Sequence, residues 1–197
     1  QFTMGEKYAI INFKKNGGGL YMIADHDNSD RNGDGWDSPA IWNDLVSTNS
    51  VVANPFGITF DVVTFSQTTT NFANIPSNTI LNGSAGTPRA MQFSVQGLVF
   101  KTGASTTGTT NVMFASATYG AGKVCALGDS SVPDDGTGDT GDNLYDGYFA
   151  DASGNHRPLL INSVIRLATS SGLATDDIMK PELSVNLYPN PSSDYVY

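Results

Sequence analysis

Apolar residues recur along the chain with two periods, one typical of strands and one of helices. Residues 20–24 (LYMIA) are continuously apolar, which indicates a strand buried on both faces of a sheet. Residues 112–118 and 123–127 flank a glycine-containing turn (YGAG), and this arrangement predicts a β-hairpin. Apolar residues at helical spacing predict a helix near the end of the chain. These residues are Leu159, Leu160, Val164, Ile165 and Leu167.

Capping residues predict where the helices begin. Thr3 followed by Glu6 is a capping box. Ser38 before Pro39 predicts a second helix with the serine as its N-cap, and Asn155 is the corresponding cap for the last helix. Strands interleaved with helices favour an α/β fold: an open, largely parallel, flavodoxin-like sheet flanked by helices, with a hairpin near the C-terminal part and a short β tail.

Composition narrows the classes of partner. The chain has 197 residues, enough for one well-buried domain and a tail, and its formal charge is −9 with ten Lys and Arg. We therefore expect no nucleic-acid surface, since that needs a basic stripe. No apolar run approaches the ~18 residues of a membrane span. Cys125 is the single cysteine, so a disulfide framework and a cysteine metal cluster are excluded.

Most of the negative charge falls in two loops, each following a predicted strand. In the first, the sequence DRNGDG from Asp30 has oxygen ligands at positions 1, 3 and 5 and a glycine at 6, as at the start of a calcium loop. The closing glutamate of an EF-hand is missing, because position 12 is Ile41. The alternative is a solvated acidic loop. The candidate calcium ligands here are Asp25, Asp27, Asp30, Asn32, Asp34 and Asp37.

The second acidic loop, DDGTGDTGD, matches the calcium pattern less closely. Its candidate ligands are Asp134, Asp135, Asp139 and Asp142.

Four residues beside the loops are candidates for an acid/base or metal cluster. If the two strands are parallel neighbours, Asp25, His26 and Asp129 emerge at one edge of the sheet, and His156 reaches it from the second loop. The alternative is structural, with His26 ordering its loop and His156 assisting the helix cap. Cys125 lies inside a strand rather than on a sharp turn, so we predict that it is structural and not a nucleophile.

Aromatic residues near the loops predict a surface on which sugar rings stack. These residues are Trp36, Trp42, Tyr145, Tyr148 and Phe149. Trp42 also lies on the predicted helical stripe, which favours a core position for it.

The order of these motifs resembles a known family. Five features follow one another along the chain: a helix, the sequence GGGL opening a strand, the Asp/His loop, GAGKV at 120–124 and HRPLL at 156–160. In this order they resemble the later part of class I glutamine-amidotransferase-like domains, in particular the trehalose-utilisation-protein branch. Similar domains recur in secreted Bacteroidetes proteins. The resemblance covers 3–170, and it implies further strands and helices before Gln1. The family's nucleophilic cysteine has no counterpart here, so glutaminase chemistry does not carry over.

A second resemblance lies near the end of the chain. The sequence LYPNP at 187–191 resembles the opening of a type IX secretion C-terminal sorting domain. It implies partnership with the type IX machinery during export, and a location outside the cell or on its outer surface. The expected organisation is an amidotransferase-like domain over 1–170, a linker over 171–183 and the start of a sorting domain over 184–197.

Two functions remain open at this point. The first is a secreted or cell-surface calcium-binding module that binds glycan or has a structural role. The second is a metal-dependent extracellular hydrolase acting on polysaccharide or another polymer.

Overall fold

The structure is a computed structural model, which describes residues 1–25, 30, 32–61, 68–69, 72–73, 79–88, 91–92, 98–101, 112–140, 144–150 and 156–169. The predicted ligands Asp27 and Asp142, the candidate His26 and the cap Asn155 lie outside the described residues. So do the predicted linker over 171–183 and the resemblance to a sorting domain over 184–197.

In the part of the chain that the structure describes, the first strand lies between two helices, seven strands then follow one another, and two helices come after them. They are α1 (Met4–Lys15), β1 (Gly19–Ile23), α2 (Ser38–Thr48), β2 (Ile58–Asp61), β3 (Thr68–Thr69), β4 (Phe72–Ala73), β5 (Met91–Gln92), β6 (Leu98–Lys101), β7 (Phe114–Tyr119), β8 (Gly122–Leu127), α3 (Gly147–Ala150) and α4 (His156–Ala168).

The main sheet is open and mixed, in the order β1-β8-β7-β4. β1 runs parallel to β8, β8 is antiparallel to β7, and β4 is parallel to β7. The predicted α/β class is therefore confirmed, as is the hairpin, whose strands β7 and β8 join at the predicted glycine turn. Two short antiparallel pairs, β2 with β6 and β3 with β5, lie outside this sheet.

Apolar side chains cover both faces of the sheet. On one face Met22 of β1 and Ala24, directly after β1, pack with Ile11 of α1 and Leu45 of α2. On the other face Cys125 and Leu127 of β8 pack with Leu159 of α4. This two-sided burial accounts for the continuous apolar runs of β1 and β8, which have no polar face to show to water.

The helix starts agree with the sequence in one case and differ in another. The capping box of α1 is present: the Glu6 N–H donates to Thr3 Oγ1 (3.3 Å), and the Thr3 N–H donates to the Glu6 carboxylate (2.8 Å). The prediction that Ser38 caps α2 is wrong. Asp37 is the N-cap, and Ser38 is the first helical residue. Both residue types cap well, but the Ser38 hydroxyl instead accepts a hydrogen bond from the Asp25 N–H, two residues after β1.

The helix predicted near the end of the chain is confirmed, but its apolar residues are not all buried. Leu159, Leu160 and Leu167 of α4 lie in the core. Val164 and Ile165 are 55% and 42% exposed. The apolar side of α4 is thus wider than the sheet surface it covers, and the excess faces solvent.

Candidate functional site

The carboxyl ends of β1 and β8 lie side by side, and each is followed by an aspartate. Ile23 lies opposite Leu127 in the parallel register, so Asp25 and Asp129 take matching positions two residues beyond. The Ala24 N–H donates to Leu127 O (2.9 Å), which continues the pairing past the strand ends. The sheet edge expected from the sequence therefore exists. The catalytic roles of Asp25 and Asp129 stay predictions.

Helix α2 closes the other side of the end of β1. In a parallel strand alternate residues point their backbone groups towards opposite neighbours, so Ile23 and Asp25 point away from β8. The Asp25 N–H donates to Ser38 Oγ (2.7 Å), and the Trp42 indole N–H donates to Ile23 O (2.8 Å). Two side chains of α2 thus satisfy backbone groups that would otherwise pair with a further strand.

A cleft of about 400 Å³ opens where these segments meet. Its lining is Ile23, Asp25, Asn32, Trp36, Asp37, Ser38 and Ser130. Three of these residues were predicted as metal ligands. Ser38 and Ser130 were not predicted at the site, although each directly follows an aspartate at the end of a loop or strand, and that position was the available signal.

Asp30 organises the first acidic loop. One carboxylate oxygen, Oδ1, accepts hydrogen bonds from the N–H groups of Gly33 (2.9 Å) and Asp34 (3.2 Å). The other, Oδ2, accepts from the Gly35 N–H (2.7 Å). Gly35 has a φ of +85°, a conformation that residues with a Cβ rarely adopt. The glycine at position 6 therefore makes the sharp turn that the calcium-loop pattern predicts.

Asn32 and Asp34 hold the same loop by local hydrogen bonds. Asn32 Oδ1 accepts from the Asp34 N–H (3.3 Å), and the Asn32 amide donates to Asp34 Oδ2 (3.2 Å). Asp34 Oδ1 accepts from the Trp36 N–H (2.9 Å). Both side chains are exposed, so they remain accessible from solvent.

Asp37 links the loop to α2. Its Oδ1 accepts from the Ala40 N–H (3.0 Å), the hydrogen bond typical of an N-cap aspartate. Asp37 thus begins the helix and lines the cleft at the same time.

Asp129 is fully buried at the end of β8. Its Oδ1 accepts from the Ser131 N–H (2.8 Å) and the Ser131 hydroxyl (2.6 Å). These bonds shape the turn that leads from the strand into the second acidic loop. Its carboxylate is therefore tied to its own turn.

The second acidic loop is folded around Asp134. Its Oδ1 accepts from the Gly136 N–H (2.9 Å) and its Oδ2 from the Tyr145 N–H (2.8 Å). Asp135 is exposed, and hydrogen bonds from the hydroxyl and the N–H of Thr137 lower the pKa of its carboxyl group. Asp139 is exposed too. Of this predicted ligand set, Asp134 and Asp135 thus hold their own backbone turns.

His156 is buried at the start of α4, where its Nδ1 lies 2.9 Å from Gly147 O. A carbonyl oxygen only accepts, so Nδ1 carries the proton in this hydrogen bond. The bond joins α4 to the start of α3. His156 is not among the described residues that line the cleft. Its catalytic role stays a prediction, as does that of His26.

The described side chains include oxygen ligands of the type that a hard cation prefers. In the part of the chain that the structure describes, no three His, Cys, Asp or Glu side chains converge to hold a metal ion. The first loop nevertheless presents carboxylate and amide oxygens on Asp30, Asn32 and Asp34, and calcium prefers such ligands. The donor chemistry therefore fits calcium.

Cys125 has no nucleophilic setting. It is fully buried, and burial raises the pKa of its thiol to about 12. The reactive thiolate is thus suppressed at neutral pH, in keeping with the predicted structural role.

The predicted aromatic surface is divided by the fold. Tyr148 and Phe149 meet edge to face at 4.8 Å between ring centroids, and the Arg157 guanidinium lies 5.8 and 5.9 Å from the two rings. Tyr145 and Phe149 are 43% and 60% exposed. Trp42 is half-buried and bonded to β1, so it is not part of an open surface.

No protein family, no curated protein and no solved structure matches this chain. Among its described residues, no helix has both the length and the apolar character needed to cross a membrane.

Proposed function

We propose that this chain is a calcium-binding α/β module of a secreted or cell-surface protein. The observation that supports this most is the arrangement of the first acidic loop, in which three backbone N–H groups surround the Asp30 carboxylate. Asn32 and Asp34 follow at alternate positions and keep their oxygens exposed. Asp30, Asn32 and Asp34 would hold the ion, and its charge would offset the repulsion between the carboxylates.

The repulsion is large enough to matter. Two carboxylates about 4 Å apart repel by roughly 1 kcal/mol in water and about 4 kcal/mol at an effective dielectric constant of 20. A dication bound between them attracts both carboxylates, and this attraction outweighs their mutual repulsion. Weak calcium affinities, with Kd of order 10⁻⁴–10⁻³ M, are sufficient outside the cell.

Thermal unfolding in EDTA and in calcium tests the proposal. With a Kd of about 0.3 mM, 10 mM calcium stabilises the folded state by roughly 2 kcal/mol. We expect Asp34→Asn to lose most of this gain. Asp146→Asn is the matched control, because it removes one exposed acidic charge outside the predicted ligand set. An unchanged melting temperature in calcium, or equal gains in both variants, contradicts the proposal.

The metal-dependent hydrolase is the second candidate, supported by the cleft that brings Asp25 close to Ser130 at the carboxyl edge of the sheet. In this function Asp25 would help to hold a metal ion that supplies an activated water, and Asp129 would support the site from the buried turn after β8. The substrate is an extracellular polymer. The test is release of reducing ends from a polysaccharide panel by the wild-type chain and by Asp25→Asn. No release by the wild-type chain, or equal release by both, counts against it.

The extracellular location and a glycan ligand belong to the same proposal. Export is supported by the resemblance of LYPNP to a type IX sorting domain, and a glycan ligand by the exposed Tyr145 and Phe149. Deleting 184–197 in a bacterium with the type IX system is expected to retain the protein inside the cell. Equal export with and without this segment contradicts the export proposal.

A further inference from the structure

An apolar groove runs along α4 on the side of the sheet away from α1 and α2. It has a volume of about 370 Å³. The α4 groove is lined by Tyr21, Ile23, Tyr148, Leu160, Val164 and Ile165. Val164 and Ile165 are 55% and 42% exposed, an unusual degree of exposure for neighbouring aliphatic side chains that the core does not use.

The apolar surface continues beyond the groove. Phe149, on α3, is 60% exposed and packs edge to face on Tyr148, which lines the groove. Leu144 and Tyr145, just before α3, are 41% and 43% exposed. Exposed apolar side chains therefore extend from α4 through Tyr148 to α3, and they form a larger apolar surface than one exposed side chain would.

The end of the groove beside α3 is acidic. Pro133 lines the groove and is followed by Asp134 and Asp135. The Tyr148 N–H donates to Asp134 O (2.9 Å), which holds these residues at the groove, and Asp146 lies beside Gly136 in the same loop. Among the described residues at this end, Arg157 is the cation that lies over Tyr148, and the three carboxylates outnumber it.

We propose that the α4 groove binds an amphipathic helix of a partner protein, with aliphatic side chains on one face and Lys or Arg along its flank. The aliphatic side chains enter the groove between α4 and β1, and the cations lie against Asp134, Asp135 and Asp146. Apolar contact supplies the binding free energy, and the charge complementarity selects a basic partner. The proposal is independent of calcium binding by the first acidic loop.

The test uses a labelled helical peptide of about 18 residues with leucines at positions i, i+3, i+4 and i+7 and lysines beside them. Fluorescence anisotropy in EDTA measures its affinity for the full chain. One control peptide has the same composition in scrambled order, and another has glutamate in place of lysine. We expect micromolar binding of the first peptide, at least tenfold weaker binding of both controls, and weaker binding at higher salt.

Variants of the protein locate the binding site. The double variant Val164→Gln/Ile165→Gln is expected to weaken binding at least tenfold, and Asp135→Asn/Asp146→Asn several-fold with a smaller salt dependence. Val52→Gln is the matched control, because Val52 is as exposed as Ile165 but lies after α2. Circular dichroism and thermal unfolding check that each variant is folded.

Three results would overturn the proposal. The first is no binding, or equal binding of the scrambled or acidic peptide. The second is an equal loss with Val52→Gln and with the groove variant. The third is a dimer in sedimentation that the groove variant dissociates, since a second copy of this chain would then cover the groove.

Discussion

At the scale of single residues, Lys14 is the clearest departure from what its position in the sequence suggests. Its place in the last turn of α1 predicts a solvated cation, yet its side chain is fully buried. Nζ donates to the carbonyl oxygens of Gly18 and Lys123 and so ties α1 to the starts of β1 and β8. The pKa of Lys14 is lowered to about 8, mainly by desolvation; Cys125 acts in the opposite direction, and Arg166 and Lys123 contribute to the lowering.

This lowered pKa predicts a pH dependence of stability. Between about pH 8 and 10.5 the folded chain has lost the Lys14 proton while the unfolded chain retains it, so the unfolded state binds more protons. The free energy of unfolding contributed by Lys14 therefore rises with pH across this window. We expect the stability of the wild-type chain relative to Lys14→Met, measured by urea unfolding, to increase from pH 8 to 10. A difference that is constant with pH would contradict this prediction.

Cys125 also titrates differently in the folded and unfolded chains, within an overlapping pH range. Its raised pKa means that the unfolded chain loses the thiol proton first, which lowers stability between about pH 9 and 12. Both Lys14→Met and the wild-type chain contain Cys125. Its contribution therefore cancels except for the interaction with Lys14, which is the smallest of the causes that act on the Cys125 thiol.

Asn162 shows why some residues at this scale cannot be predicted from sequence. It is fully buried, and its amide donates to Ile80 O (2.8 Å) and Gly86 O (2.9 Å) while accepting from the Ala85 N–H (3.0 Å). It therefore satisfies three backbone groups of a loop about 80 residues earlier in the chain. A polar residue inside an apolar helix pattern indicates neither its partners nor their position.

At the scale of elements, local sequence rules predicted which helices and strands exist better than they predicted where each one begins. The run 20–24 and the glycine turn at 119–122 each predicted a strand or hairpin that the structure contains, because burial on two faces and a positive φ leave direct marks on the sequence. The start of α2 was misassigned by one residue. Asp37 and Ser38 are both good caps, and the choice between them depends on the hydrogen bond from Asp25 to Ser38, a contact from another element.

That division of roles at α2 gives a second prediction. Asp37→Ala removes the N-cap and is expected to lower stability by about 1 kcal/mol. Ser38→Ala leaves the cap in place but removes the acceptor for the Asp25 N–H, so hydrogen exchange at the Asp25 amide is expected to accelerate. Asp37→Ala serves as the comparison for that exchange rate. Equal acceleration in both variants would mean that the end of β1 responds to loss of helix α2 rather than to Ser38.

At the scale of the whole molecule, the described residues at the two ends of β1 and β8 carry charges of opposite sign. Asp25 and Asp129 follow the carboxyl ends of the strands, and the first acidic loop and Asp37 extend from there. Lys14 and Lys123 lie at the opposite ends of the same strands. Sequence alone predicted the acidic end, because an aspartate follows a predicted strand at two places in the chain. It did not predict the basic end, since Lys14 and Lys123 are brought together by a contact over 109 residues.

This segregation predicts that monovalent salt stabilises the protein. The acidic loops repel themselves, and the formal charge of −9 adds to this self-repulsion. The Debye length falls from about 30 Å at 0.01 M to about 10 Å at 0.1 M ionic strength, so neighbouring loop charges are increasingly screened. A gain of about 1 kcal/mol raises the melting temperature of a chain this size by roughly 2–4 °C. We expect a rise of that order between 10 and about 500 mM NaCl in EDTA. The rise should be smaller in Asp34→Asn/Asp135→Asn, which already carries less repulsive charge, whereas a melting temperature that falls with salt would mean that attractive pairs dominate the electrostatics of the fold.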